Sequence, residues 1–103
     1  MIVNLKKSDK PGKKFVVDIY DSKRPADKVY FGDSDYEDYT THRDDNRKER
    51  YITRHKSRED WTKKGIRTSG FWSRWVLWNK PTIQESVDYL NNKYKNFKII
   101  IMV

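Results

Sequence analysis

The sequence predicts an α+β fold: a small antiparallel sheet from the N-terminal half, packed with two to three helices. Three observations carry that expectation. A β-branched and aromatic segment, Lys14-Phe-Val-Val-Asp-Ile-Tyr20, reads as a strand. Thr82-Ile-Gln-Glu85 forms a capping box ahead of an amphipathic segment. The 103 residues suffice for one domain, residues 1–103, and are too few for two.

In chain order, Ile2-Val-Asn-Leu5 offers a short strand within an N-terminal arm, residues 1–10, whose polar remainder reads as mobile. Lys10-Pro-Gly-Lys13 separates it from the Lys14–Tyr20 strand. Asp21-Ser-Lys-Arg-Pro-Ala-Asp27 has turn chemistry, with Pro25 expected to block strand continuation. Lys28-Val-Tyr-Phe31 then completes a hairpin with a long loop. Residues 32–45 are polar and acidic without periodicity, an acidic loop. Asp44 or Asp45 is placed to cap a helix from about Asn46 to Arg58, with acids at its positive end. Trp61–Ser69 reads as a loop, and Gly70–Trp78 as a short helix stopped by Asn79-Lys80-Pro81. After Thr82 a helix is expected to about Tyr94, with Ile83, Val87 and Leu90 on one face. Residues 97–103 form an apolar run, read either as a final strand or as a tail that inserts into a partner.

Composition narrows the function. Charged residues make up 37% of the chain and apolar ones 35%, which leaves the core to four Trp, seven Tyr and four Phe. Cysteine is absent, which excludes disulfides, thiolate metal sites and cysteine nucleophiles. The N-terminus lacks the apolar run of a signal peptide and nothing approaches a membrane span, so a non-secreted protein is expected. The net charge of +8 is unevenly placed: residues 32–45 carry −5 and residues 46–80 carry +8. A basic middle directly follows an acidic loop, a distribution suited to polyanionic partners.

On the helix after Asp45, Arg47, Arg50, Arg54 and Arg58 recur at spacings of three and four, within about 80° of one another. Arg43 lies one turn upstream, and Lys48, Lys63 and Lys64 are nearby helpers. A row of like charges destabilises an isolated helix, so an external anion is one way to neutralise it. Arginine also makes the forked contacts that phosphate and carboxylate accept. The plainer alternative pairs these arginines with Glu49, Glu59, Asp60 and the acidic loop.

Gly70–Trp78 is apolar nearly all round, which points to burial in the core. A base-stacking or protein-binding use of Trp72, Trp75 and Trp78 is the alternative, joined by Ile99 and Ile101 of the apolar run. Asp33, Asp35, Glu37 and Asp38 begin like a calcium loop, but Asp38 stands where that loop needs glycine, so no metal is expected. His42 and His55 lack zinc spacing. No nucleophile elbow or glycine-rich phosphate loop is present, so neither an enzyme nor a cofactor or small-molecule substrate is expected.

Phe31-Gly32, Tyr36-Glu-Asp-Tyr-Thr40, His42, Arg47-Lys-Glu-Arg-Tyr-Ile52, Arg54-His-Lys56, Trp61 and the run Thr68-Ser-Gly-Phe-Trp-Ser-Arg-Trp-Val-Leu-Trp-Asn-Lys-Pro-Thr82 resemble a family of small, uncharacterised proteins of nucleocytoplasmic large DNA viruses (giant viruses). The likeness spans about residues 31–86, and Ser73-Arg74-Trp75 with Leu77–Thr82 is its most specific part. It implies a setting, the infected host's cytoplasm or nucleus and the virion, and no mechanism. In that setting the charge pattern suggests a basic, virion-associated protein that contacts nucleic-acid phosphates without sequence specificity. The alternative is a minor capsid or scaffold protein that meets acidic surfaces of other virion proteins.

Overall fold

A computed structural model of the chain describes residues 1–102. Four strands form one sheet: β1 (Ile2–Lys7), β2 (Lys13–Asp21), β3 (Arg24–Asp33) and β4 (Lys98–Ile101), in the order β3-β2-β1-β4. The α+β class therefore holds. The sheet is mixed, however: β1, β2 and β3 are antiparallel, while β4 lies parallel to β1. Parallel pairing needs a long connection, and here it runs through β2, β3 and four helices: α1 (Tyr39–His42), α2 (Asp45–His55), α3 (Ser69–Trp72) and α4 (Ile83–Lys93).

Each strand alternates. Val3 and Leu5, Val17 and Ile19, Val29 and Phe31, and Ile99 turn to one face, where Phe71, Trp72, Val76, Leu77, Val87 and Leu90 meet them. Side chains at alternate strand positions point to opposite faces, and the opposite face stays mostly open, with Val16 and Asp18 of β2 the exceptions buried there. The short strand expected at Ile2–Leu5 is present and runs on to Lys7, within the segment read as an N-terminal arm, and it is an interior strand of the sheet. The hairpin is tighter than expected, turning at Ser22-Lys23. Pro25 lies within β3 because β3 is an edge strand, and beside it the register shifts between Ile19 and Asp21. An edge strand tolerates a residue that lacks an N–H.

The apolar C-terminal run is a strand from Lys98 to Ile101, with Val103 outside the described residues. Its outer edge is partly closed: the Asn91 side chain accepts from the Ile99 N–H at 2.8 Å and donates to the Ile99 carbonyl at 3.2 Å. A tail that joins a neighbouring sheet would have to displace that amide.

Helix ends follow local chemistry. Asp44 caps α2, accepting from the N–H groups of Asn46 and Arg47, and these bonds hold its carboxyl below the usual range. Asp45 instead accepts the Tyr39 hydroxyl at 2.6 Å. Thr82 caps α4, accepting from the Glu85 N–H. The helix expected to reach Arg58 ends at His55, so Arg58 follows it in a turn. The Trp-rich segment is not one regular helix: α3 widens into a π turn over Ser73–Leu77, closed by a Trp78 N–H bond to the Ser73 carbonyl. Trp61–Ser69 contains a 3-10 turn, Lys63–Gly65, at whose end a side chain on Gly65 would lie 2.0 Å from the Asp60 carbonyl oxygen.

On the open face of the sheet Asp18 is buried, bridged by Lys6 from β1 and Lys28 from β3. Burial alone would raise its pKa, but the hydrogen bonds from Lys28 and Lys6 outweigh that and leave it below the ordinary value. A carboxylate with a depressed folded pKa stabilises fully above its unfolded pKa, and that contribution fades as pH falls through the folded value. Asp18→Asn is therefore expected to cost about 1.5 kcal/mol near neutral pH, the low end for bonds to charged groups because both lysines are partly hydrated. Urea midpoints of the two proteins should converge well below the reference value of 3.8. A gap that persists unchanged into acid would refute this account.

Candidate nucleic-acid interface

Stacking fixes the rotation of α2. Tyr51 is buried against Trp78, ring centroids 4.3 Å apart and planes 3° from parallel, and His55 stacks on Tyr51, also at 4.3 Å. Burial pushes the Tyr51 hydroxyl pKa far above its ordinary value, so it stays protonated. With Tyr51 held inward, the adjoining stripe of α2 carries Arg47, Arg50 and Arg54 along one side of a cleft of about 550 Å³. The other walls are the end of β3 with the acidic segment (Gly32, Asp33, Glu37, Asp38) and the start of α3 with the π turn (Ser69, Gly70, Ser73, Leu77). Gly32 is required where β3 meets this wall: its φ is +81°, and a Cβ there would lie 2.8 Å from Leu77 Cδ1.

The acidic segment is not an unstructured loop. Asp38 is buried and caps α1 while accepting Lys14 Nζ at 2.7 Å. Asp33 accepts the Asp35 N–H. Glu37 takes Arg47 at 3.2 Å, with both side chains largely exposed. An exposed pair of that kind contributes roughly 0–1 kcal/mol, so it biases Arg47 without locking it. Of the carboxylates weighed as a cation site, Asp33, Glu37 and Asp38 thus have ordinary structural partners, and no group of three or more metal-binding side chains occurs among the described residues.

The remaining arginines are not screened. Arg50, Arg54 and Arg58 are exposed, and none has an ion pair among the described residues. Of the acids that could have neutralised them, Glu59 and Asp60 are engaged elsewhere, while Glu49 lies beside Arg50 and Arg54 without forming an ion pair with either. Glu59 faces His55 at 3.2 Å and accepts Trp61 Nε1 at 2.9 Å, and Asp60 accepts the Thr62 N–H.

The other expected contact residues scatter. Arg43 sits in the left-handed region (φ 52°) at the end of α1 and donates from Nε to the Pro81 carbonyl. Lys48 faces away from the cleft, half-buried, with Nζ on the Asn79 carbonyl at 2.6 Å and over the Tyr39 ring. Lys63 and Lys64 are exposed on the 3-10 turn, outside the cleft lining. Of the residues considered for partner contact, Trp72 and Ile99 are core, at 0% and 4% exposure. Trp78 is packed under Tyr51, Ile101 borders the core, and Trp75 remains half-exposed. Sequence spacing missed Lys14 and the glycine wall, because these reach the cleft through the sheet.

A family model, described as a family of unknown function (DUF5754), matches residues 3–55. The chain belongs to that family. The match runs from β1 through α2, so it takes in the acidic segment and Arg47, Arg50 and Arg54, and stops before the Trp-rich segment. No curated protein and no solved structure matches the chain. Among the described residues, no helix is long and apolar enough to cross a membrane.

Proposed function

We propose that this member of DUF5754 is a non-enzymatic binding module that contacts nucleic-acid phosphates without sequence specificity, in the particle of a large DNA virus or the infected cell. The observation that carries the reading is that Arg50, Arg54 and Arg58 are exposed and form no ion pair among the described residues. Arg50 and Arg54 on α2, with Arg58 in the turn that follows, offer forked donors that suit phosphate oxygens, and such contacts carry no sequence information. The viral setting rests on the resemblance over residues 31–86.

The cleft also favours a second reading, contact with another virion protein. Its walls carry both signs of charge, with Asp33, Glu37 and Asp38 opposite the arginines, a surface that a mixed-charge protein loop would complement. A route through strand addition at β4 is disfavoured by the Asn91 amide on that edge.

Anisotropy of labelled duplex DNA across a salt series separates the two. Contact through the three free arginines should give a log–log slope of about −3, since each neutralised phosphate contributes roughly −0.9. Absence of binding at low salt would leave the protein-partner reading standing alone.

A further inference from the structure

The π turn builds a second cationic surface, away from the arginine row. It sends Val76 and Leu77 into the core and leaves Arg74 and Trp75 half-buried at the exterior. Such turns within helices recur at functional sites. Trp75 stacks on Tyr89 of α4 at 5.7 Å, planes 23° apart. Three cations rest on this pair of rings. Arg74 lies 4.4 Å and Lys93 4.7 Å from the centre of Trp75, and Lys80 lies 5.4 Å from the centre of Tyr89. Lys48 is close behind: burial lowers its pKa, and the charges of Arg74 and Lys80 lower it further. No ion pair joins any of these four cations to a carboxylate among the described residues; Asp45 and Glu49 act on Lys48 only at longer range. Arg74 Nε is buried without a hydrogen-bond partner. The π faces hold these like charges together and satisfy them only in part.

We infer that this surface binds single-stranded nucleic acid, with phosphates on the exposed Lys80 and Lys93, bases on the Trp75–Tyr89 rings, and Lys48 and Arg74, each bonded to a backbone carbonyl, adding positive charge behind them. The inference rests on the nucleic-acid reading above and adds strandedness to it. A base can reach these rings only when unpaired, whereas duplex phosphates can reach the arginine row of α2 without unstacking. Lys80 and Lys93 are exposed and long-stemmed, so each ammonium can pass from ring to phosphate and leave the ring face to a base.

The experiment compares full-length protein, Lys80→Glu/Lys93→Glu and Arg50→Glu/Arg54→Glu, each titrated into labelled oligo-dT of about 16 nucleotides and into duplex DNA. Reversal of the two lysines should weaken oligo-dT binding at least tenfold and leave duplex binding within about twofold. A second variant, Trp75→Leu, keeps every charge and should lower oligo-dT affinity on the order of tenfold with no change in salt slope. Oligo-dT binding that survives the lysine reversal would overturn the inference and leave the arginine reading intact. Oligo-dT binding that depends on Lys80 and Lys93, with no duplex binding by the unaltered protein, would uphold the inference and sink the arginine row as the contact. Indifference of both ligands to both reversals would overturn both.

Discussion

Replacement of Arg50 and Arg54 together by glutamate is expected to lower affinity for duplex DNA on the order of a hundredfold near physiological salt. Each phosphate contact contributes roughly fivefold at that ionic strength through counterion release, and reversal adds repulsion to the loss of two contacts. The log–log salt slope should fall by about two, toward the value that Arg58 alone would give. Both side chains are exposed and unpaired, so the far-ultraviolet spectrum and the unfolding midpoint should change little. Arg47 predicts a contrast on the same helix. It must leave Glu37 before it can meet a phosphate, so Glu37→Gln should raise affinity several-fold. If the double reversal leaves duplex binding unchanged, the arginine row is not the contact, whatever else binds.

The position of the acidic segment decides how strong this effect can be. Had residues 32–45 folded across α2, the row would be neutralised within the protein. Instead Asp38 is drawn back to Lys14 and to the α1 cap, Asp44 caps α2, and Asp45 takes the Tyr39 hydroxyl, so of these acids Glu37 alone forms an ion pair with the row. Capping thus keeps acids beside the arginines without quenching Arg50 and Arg54. The loop still leaves Asp33 and Glu37 on the opposite wall, which limits how deeply a phosphate backbone can enter the cleft and favours contact along its rim.

What the sequence disclosed depended on range. The strand over Lys14–Tyr20, the Asp44 cap, the Thr82 cap and the arginine spacing are set by neighbours within a few residues, and periodicity or capping chemistry reports them directly. The errors lie where a distant partner decides. Pro25 stops a central strand but not an edge strand, and edge status depends on β1 and β4 joining the other side of β2. For residues 97–103 the sequence left strand and tail open, and the strand reading holds because β1 was available to pair with it across nearly the whole chain. The end of α2 at His55 follows from the Glu59 and Trp61 contacts that turn the chain back. Of the cation–aromatic surface, only Trp75 was singled out from the sequence, as a base-stacking alternative; Arg74, Lys80, Tyr89 and Lys93 join it through the π turn, the following loop and α4.

Truncation of Trp72 is expected to do the greatest damage to the fold. Its ring is 0% exposed, lies 5.1 Å from Phe71 and 6.4 Å from Phe31, and joins the helical layer to β3. Its Nε1–H donates to the Ile66 carbonyl at 2.6 Å, anchoring the loop that leads into α3. Trp72→Ala should cost about 3–5 kcal/mol from lost burial and the cavity left behind, and it strands that carbonyl as well. A domain of this length holds roughly 5–15 kcal/mol in all, so the cooperative urea transition should move to much lower denaturant or vanish. Trp72→Phe keeps most of the apolar volume but not the donor, and should cost about 1–3 kcal/mol. Trp75→Ala removes a half-exposed ring and should cost less than Trp72→Ala. That order distinguishes a core tryptophan from one held for a partner: a residue kept for a partner could be truncated without loss of stability in the isolated chain. Equal midpoints for Trp72→Ala and the unaltered protein would therefore take Trp72 out of the core and return it to the surface role that the sequence alone left open.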